Sequence, residues 1–261
     1  MLEVTNLTFA YKQQQILQNI SFKLNYGQSV CLLGKNGVGK STLFKCLLRV
    51  LQPSAGSIKI NDRPIQACSR NELSQLISYI PQKQRGVFHF TVFEMVLMGT
   101  TARLKKYQQP GQMENDLANA ALATLHISHL KNQIYSQISG GEQQLVIIAR
   151  SVAQQSRIII MDEPCANLDY GNQIMVLEMI HQLTAEGILI IQSTHDPNHA
   201  LQYADHVMIL QKGQLTNQGR PEEILTSQQL ESIYQVPITV HEVTSGEQKI
   251  CLPTKNRKDA Y

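Results

Sequence analysis

Gly34-Lys-Asn-Gly-Val-Gly-Lys-Ser41 fits the pattern G-x-x-x-x-G-K-[ST], and the reading of the whole chain starts from it. Small residues let the backbone wrap closely around phosphate oxygens, so that N–H groups along Gly34, Asn36, Gly37 and Gly39 serve as donors. Lys40 adds a point charge for the β- and γ-phosphates. Ser41 places a hydroxyl where a Mg²⁺ ion needs a ligand, and Thr42 follows it. The flanks agree with this chemistry. Ser29–Leu33 reads as a short buried strand, and Ser41–Val50 as a helix whose N-terminus faces the anion. The stretch predicts binding of a nucleoside triphosphate.

Working outward, the 261 residues suit one large domain or one domain with an insert. No apolar run approaches the roughly 20 residues that span a bilayer, and the Met1–Asn6 start has neither a basic nor an apolar stretch of the secretory kind. Five cysteines, without a C-x-x-C pair, argue against a disulfide framework and for a reducing, cytosolic setting. A net charge of +3 neither demands nor excludes nucleic acid.

Leu2–Tyr11 and the strictly alternating Ile20–Leu24 read as an antiparallel hairpin, with a turn at Tyr26-Gly27 leading into the phosphate-loop strand. Ser57–Asn61 alternates again, and Ser78–Pro81 is a short strand ended by proline. From about residue 84 to 153 the pattern turns helical, with Phe93–Met98 and Leu117–Leu125 as helices around a polar loop at Lys105–Gln112. From Ile158 on, apolar strands alternate with helices at Gly171–Ala185 and Pro197–Ala204, as in a parallel sheet with crossovers. The expected organisation is an α/β nucleotide-binding core over 1–83 and 156–225, a helical insert over 84–155 and a C-terminal extension over 226–261. Lys255–Lys258 reads as a frayed basic tail.

Two further motifs carry chemistry. Arg157-Ile-Ile-Ile-Met-Asp-Glu-Pro164 is a doubly covered strand ending in two carboxylates. Asp162 lies where ligands bind in open α/β sheets and suits a Mg²⁺ ion. Glu163, next along, suits the general base that polarises an attacking water. Ile138-Ser139-Gly140-Gly141-Glu142-Gln143 opens a helix with apolar residues at Leu145, Ile148, Ala149 and Val152. A serine and two glycines at a helix start build a second anion site. One nucleotide does not need two such sites from one chain, whereas two chains meeting head to tail would each offer one site to each of two nucleotides.

With these motifs in order, the chain resembles the ATP-binding cassette (ABC) ATPases over residues 1 to about 225. The resemblance implies a P-loop ABC ATPase core with an N-terminal antiparallel β subdomain and an inserted helical subdomain, hydrolysing ATP with Mg²⁺. It implies that Ser139-Gly140-Gly141 is the signature motif and closes the site of a second copy. Tyr11 resembles the aromatic that stacks on adenine, with Phe9 as its competitor, and Gln82 the glutamine that links the Mg²⁺ site to the helical insert. Asn167-Leu168-Asp169 resembles the loop contacting the partner subunit, and His195 the switch histidine at the γ-phosphate. Lys40, Glu163 and His195 are the implied catalytic residues, and Ser41, Gln82 and Asp162 the implied metal ligands.

Ile138 stands where the family usually has Leu, a conservative swap. Cys165 stands where Thr or Ser is commoner, which suggests an ATPase sensitive to oxidation or alkylation. The segment Gln84–Gly99, after Gln82, is where the family receives a helix from an integral membrane permease. Thr91–Gly99, Leu168–Gln173 and the tail Gly219–Tyr234, with a strand at Gln235–His241, resemble importers of metal chelates: ferric siderophores, haem and cobalamin. The implied setting is the cytoplasmic face of the cell membrane, with an extracytoplasmic binding protein as indirect partner and no nucleic acid. A cassette of another transporter (a zinc or manganese importer, or an exporter) and a non-transport remodelling ATPase stay open as alternatives.

Overall fold

The computed structural model describes residues 1–82, 89–105, 107–166, 168–244 and 248–254. The chain opens with β1 (Leu2–Tyr11) and β2 (Gln14–Leu24), antiparallel to each other. Along Ile20–Leu24 every second residue is buried, the pattern its alternation predicts. After β3 (Ser29–Leu33) and α1 (Lys40–Leu47) come β4 (Ala55–Ile60) and the two-residue β5 (Arg63–Pro64). These complete an antiparallel sheet of order β2-β1-β4-β5. Next follow α2 (Arg70–Leu76) and β6 (Ile77–Ile80), then the helical module of α3 (Val92–Leu97), α4 (Gln112–Thr124) and α5 (Gly140–Ala153). The chain then runs through β7 (Ile158–Asp162), α6 (Tyr170–Ala185), β8 (Leu189–Ser193), α7 (Pro197–Tyr203), β9 (His206–Gln211) and β10 (Gln214–Gly219). It ends in α8 (Pro221–Ile224), α9 (Ser227–Tyr234) and the hairpin β11 (Ile238–Thr244) and β12 (Gln248–Pro253).

The central sheet has the order β10-β9-β3-β8-β7-β6, parallel except for the edge strand β10. Its inner strands are buried on both faces, and the period of two sorts their side chains into separate cores. Ile158 and Ile160 of β7 and Leu189 and Ile191 of β8 join α1 and the antiparallel sheet. Ile159, Met161 and Ile190, on the opposite face, join the helical module. Cys31, Leu33, Val207 and Ile209 face α9 and the C-terminal hairpin. All of these side chains are within 1 % of full burial. Each strand is therefore fixed in register twice, because a one-residue slip would exchange its two cores.

The helices start where their sequences say they should. Ser69, Thr91 and Ser139 each cap a helix and each pairs with a glutamate three residues on, two orphan donors satisfied per box. Gly99 lets the helical module close up, because a Cβ there would overlap the Arg150 carbonyl.

Several boundaries differ from the sequence expectation: β2 begins at Gln14 and not at Ile20, and α4 begins at Gln112 and not at Leu117. The strand expected at Gln235–His241 begins at Ile238, because α9 continues to Tyr234 and Gln235 ends it in the left-handed region at φ 59°. The alternation is real but shared with a partner strand, β12, that lies across the hairpin. The expected basic tail at Lys255–Lys258 and the part of the permease segment before His89 lie outside the described residues.

Candidate active site

The phosphate loop joins β3 to α1, and its geometry needs glycine at two places. Gly34 has φ 154° and a Cβ there would overlap the Leu210 carbonyl of β9. Gly39 has φ 115° and caps α1, where a Cβ would press on Leu17 at 3.0 Å. The loop and the strand ends enclose a cleft of about 380 Å³. Asn36, Gly37, Gly39, Lys40, Ser41, Thr42, Gln82, Asp162 and Glu163 all line it, so one cavity gathers most of the residues that the sequence nominated.

Lys40 is only 6 % exposed, and its ammonium donates to the carbonyls of Gly34 at 2.6 Å and Lys35 at 3.3 Å. Burial pushes its pKa below the ordinary lysine value, while Glu163 and Asp162 pull the other way. Of its three donors, one remains for a phosphate oxygen.

Asp162 ends β7 at 5 % exposure, and Glu163 turns the chain sharply at φ 53°. A left-handed glutamate is an uncommon conformation that has to be held by its surroundings. Asp162 accepts from the Ser193 hydroxyl at 2.7 Å and, more loosely, from the Tyr79 phenol at 3.5 Å. Burial, with the Asp162 charge beside it, pushes the Tyr79 phenol up to about 12. Gln82 donates to Oε2 of Glu163 at 2.6 Å. His195 places Nδ1 3.9 Å from the same oxygen, too far for a hydrogen bond, with its side chain 63 % exposed.

The donor set has a clear character. The Ser41 hydroxyl, an Asp162 carboxylate oxygen and the Gln82 amide oxygen are hard oxygen ligands on one cleft. Gln82 commits its nitrogen to Glu163, which leaves the amide oxygen for a cation. Among the described residues no three His, Cys, Asp or Glu side chains cluster as a metal cage.

Other nominated residues lie elsewhere. Ser139, Gly140 and Gly141 start α5, and none lines the cleft. Ser139 accepts from Glu142 N–H at 3.3 Å and donates its own N–H to the Glu142 carboxylate at 2.8 Å, and the Ser139 hydroxyl and N–H beside it hold this carboxyl below its usual range. Tyr11 is 45 % exposed, stands edge-on to Phe9 at 4.8 Å, and does not line the cleft either. Asp169 caps α6 through Asn172 N–H at 2.8 Å, while Asn167 lies outside the described residues.

Cys165 lies in a setting that its sequence position did not show. The residue is 7 % exposed and burial pushes its thiol up to about 12, which argues against ready reaction at neutral pH. Three contributors went unnoticed in the sequence: Ile16, which lines the cleft, and Tyr79 and Ser193, which touch Asp162. Ile16 and Tyr79 carry no local signal, and Ser193 shows only as the last residue of a strand two positions before His195.

Comparison with known proteins agrees with this geometry. A family model described as ABC transporter matches residues 17–166. An uncharacterised ABC transporter ATP-binding protein of Haemophilus influenzae is 43 % identical over 243 residues, 93 % of this chain and 92 % of that protein. A Helicobacter pylori protein named as a probable iron chelatin transport ATP-binding protein is 33 % identical over 246 residues, covering 91 % and 94 % of the two chains. Among solved structures, a metal-chelate type ABC transporter in an inward-facing conformation superposes with a TM-score of 0.84 at 30 % identity, over 98 % of both chains. The chain carrying this cleft belongs to the ABC transporter family and is one of its ATP-binding ATPases.

Proposed function

We propose that the chain is the ATP-hydrolysing subunit of an importer that takes up a metal chelate through a separate membrane permease. The observation that carries the mechanism is the contact of Gln82 and Glu163 at the mouth of the phosphate-loop cleft. In this reading Lys40 and the loop N–H groups bind the β- and γ-phosphates. Ser41, Gln82 and Asp162 would hold Mg²⁺, which when bound would neutralise charge on the phosphate oxygens. Glu163 accepts a proton from the water as its oxygen attacks the γ-phosphorus, and the bond to the β-phosphate oxygen breaks to release ADP. His195, whose Nδ1 lies 3.9 Å from Glu163 Oε2, orients that water.

Ser139, Gly140 and Gly141 stand outside the cleft of their own chain, which supports their serving the cleft of a second copy. Tyr11, equally outside it, would meet the adenine from the exposed end of β1. Hydrolysis then requires the closed head-to-tail dimer, and chemistry is tied to a rigid-body motion. No helix among the described residues is long and apolar enough to cross a membrane; in this reading the motion is passed to a permease. The segment after Gln82 would receive it at the cytoplasmic face of the membrane, with an extracytoplasmic binding protein delivering cargo to the other side. The chelate-transport names of the relatives support the cargo class.

The test is an affinity pull-down of Glu163→Gln from solubilised native membranes with ATP, read by mass spectrometry. Recovery of a polytopic permease encoded with a chelate-binding protein is the expected result. Recovery of ribosomal or other soluble partners alone would overturn the importer reading.

A further inference from the structure

Asp162 and Glu163, at the end of β7, share one hydroxyl, the first through its carboxylate and the second through its backbone N–H. Ser193 ends β8 directly across the parallel ladder from Asp162 and is fully buried. Its Oγ donates to Asp162 Oδ1 at 2.7 Å and accepts from the Glu163 N–H at 2.9 Å, so its single proton and a lone pair are both committed. The first bond fixes the rotation of a carboxylate that lines the cleft. The second grips the backbone of a glutamate in the left-handed region at φ 53°. A strained turn of this kind persists only where surrounding contacts over-determine it. The turn is tied further by the Glu163 carbonyl accepting from Ala166 N–H at 3.2 Å and by the Pro164 carbonyl accepting from Gln144 Nε2 at 3.3 Å.

We propose that Ser193 is a positioning residue for the hydrolytic reaction: its hydroxyl sets the metal-facing carboxylate of Asp162 and the turn that presents Glu163, in one connected chain of hydrogen bonds. It does not line the phosphate-loop cleft itself. The hydroxyl also links β8, two residues before His195, to the end of β7, so the strand that presents the histidine and the strand that presents the base are pinned at one point. This inference rests on the roles proposed above for Asp162 and Glu163.

Threonine and valine at position 193 have nearly the same volume and differ by the hydroxyl alone. The experiment compares Ser193→Thr and Ser193→Val for Mn²⁺ affinity in the presence of ATP, by electron paramagnetic resonance, and for ATP turnover. Binding of a fluorescent ATP analogue in EDTA monitors the intact phosphate loop. The expected result is a Mn²⁺ affinity about 10-fold or more weaker in the valine variant than in the threonine variant, as for other residues that orient a metal ligand. Turnover falls in parallel, and analogue binding in EDTA is equal in the two. Equal Mn²⁺ affinity and turnover in the two variants would overturn the proposal, whether both are high or both low. Asp162→Asn, measured alongside, separates the two levels. If it leaves Mn²⁺ affinity unchanged, the metal role of Asp162 itself fails, and the role of Ser193 falls with it.

Discussion

The side-chain nitrogen of Gln82 donates a 2.6 Å hydrogen bond to Oε2 of Glu163, across 81 residues of sequence. Gln82 follows β6, the edge strand beside β7, and leads into the segment before the helical module. A shift of that segment therefore reaches the proposed base directly. Gln82→Ala is expected to lower kcat about 10-fold or more while ATP affinity without metal stays within about 3-fold. Unchanged turnover would remove Gln82 from the machinery.

Glu163→Gln keeps the size of the side chain and removes the proton acceptor. Turnover should fall by about 10²–10⁴-fold with ATP still bound, the usual range for loss of a general base. Single-turnover measurements check this, and a normal rate would reassign the base.

Lys40 gives a pH dependence with a definite sign. Its folded pKa lies below the ordinary lysine value of about 10.4, because burial opposes the charge. Between those two values the unfolded chain holds a proton that the folded chain has lost, so the nucleotide-free protein becomes more stable as pH rises through this alkaline window. ATP affinity moves the other way, because deprotonation removes the charge that meets the phosphates. Titration calorimetry from neutral to alkaline pH should show affinity declining before ordinary lysines titrate. Lys40→Ala should weaken ATP binding about 10–100-fold at neutral pH, the worth of a charge-assisted hydrogen bond.

All five cysteines are buried, and burial pushes Cys31 and Cys165 up to about 12 and Cys46 up to about 11. The native protein at pH 8 should react with a thiol reagent only over hours and release all five equivalents at once in denaturant. Rapid modification of Cys165 with loss of activity would restore the redox reading that its sequence position suggested.

Much of this site was legible in the sequence because its motifs are local. Gly34–Ser41 and Ile158–Asp162 show their strand, turn and charge within a few residues, and both strands lie where they were expected. The contacts between motifs were not legible. Ser193 meets Asp162 across 31 residues and Tyr79 meets it across 83, and neither pairing leaves a trace in spacing or composition. Cys165 is a related case: its place in the motif was readable, but its burial depends on the helices packed over it. The C-terminal hairpin was read as one strand because its second strand pairs only in three dimensions, held to α7 by the Asn198 amide bonding the Cys251 main chain at 2.8 and 3.3 Å.

The central claim is that each nucleotide is hydrolysed between the phosphate loop of one copy and the signature serine of another. Mixing two inactive variants tests it most directly. Lys40→Ala retains an intact signature and Ser139→Arg an intact phosphate loop, so a head-to-tail mixed dimer contains one whole site. The account predicts that ATPase activity, absent in each variant alone, reappears on mixing. No recovery in mixtures shown to contain mixed dimers, or full activity of Ser139→Arg by itself, would contradict it.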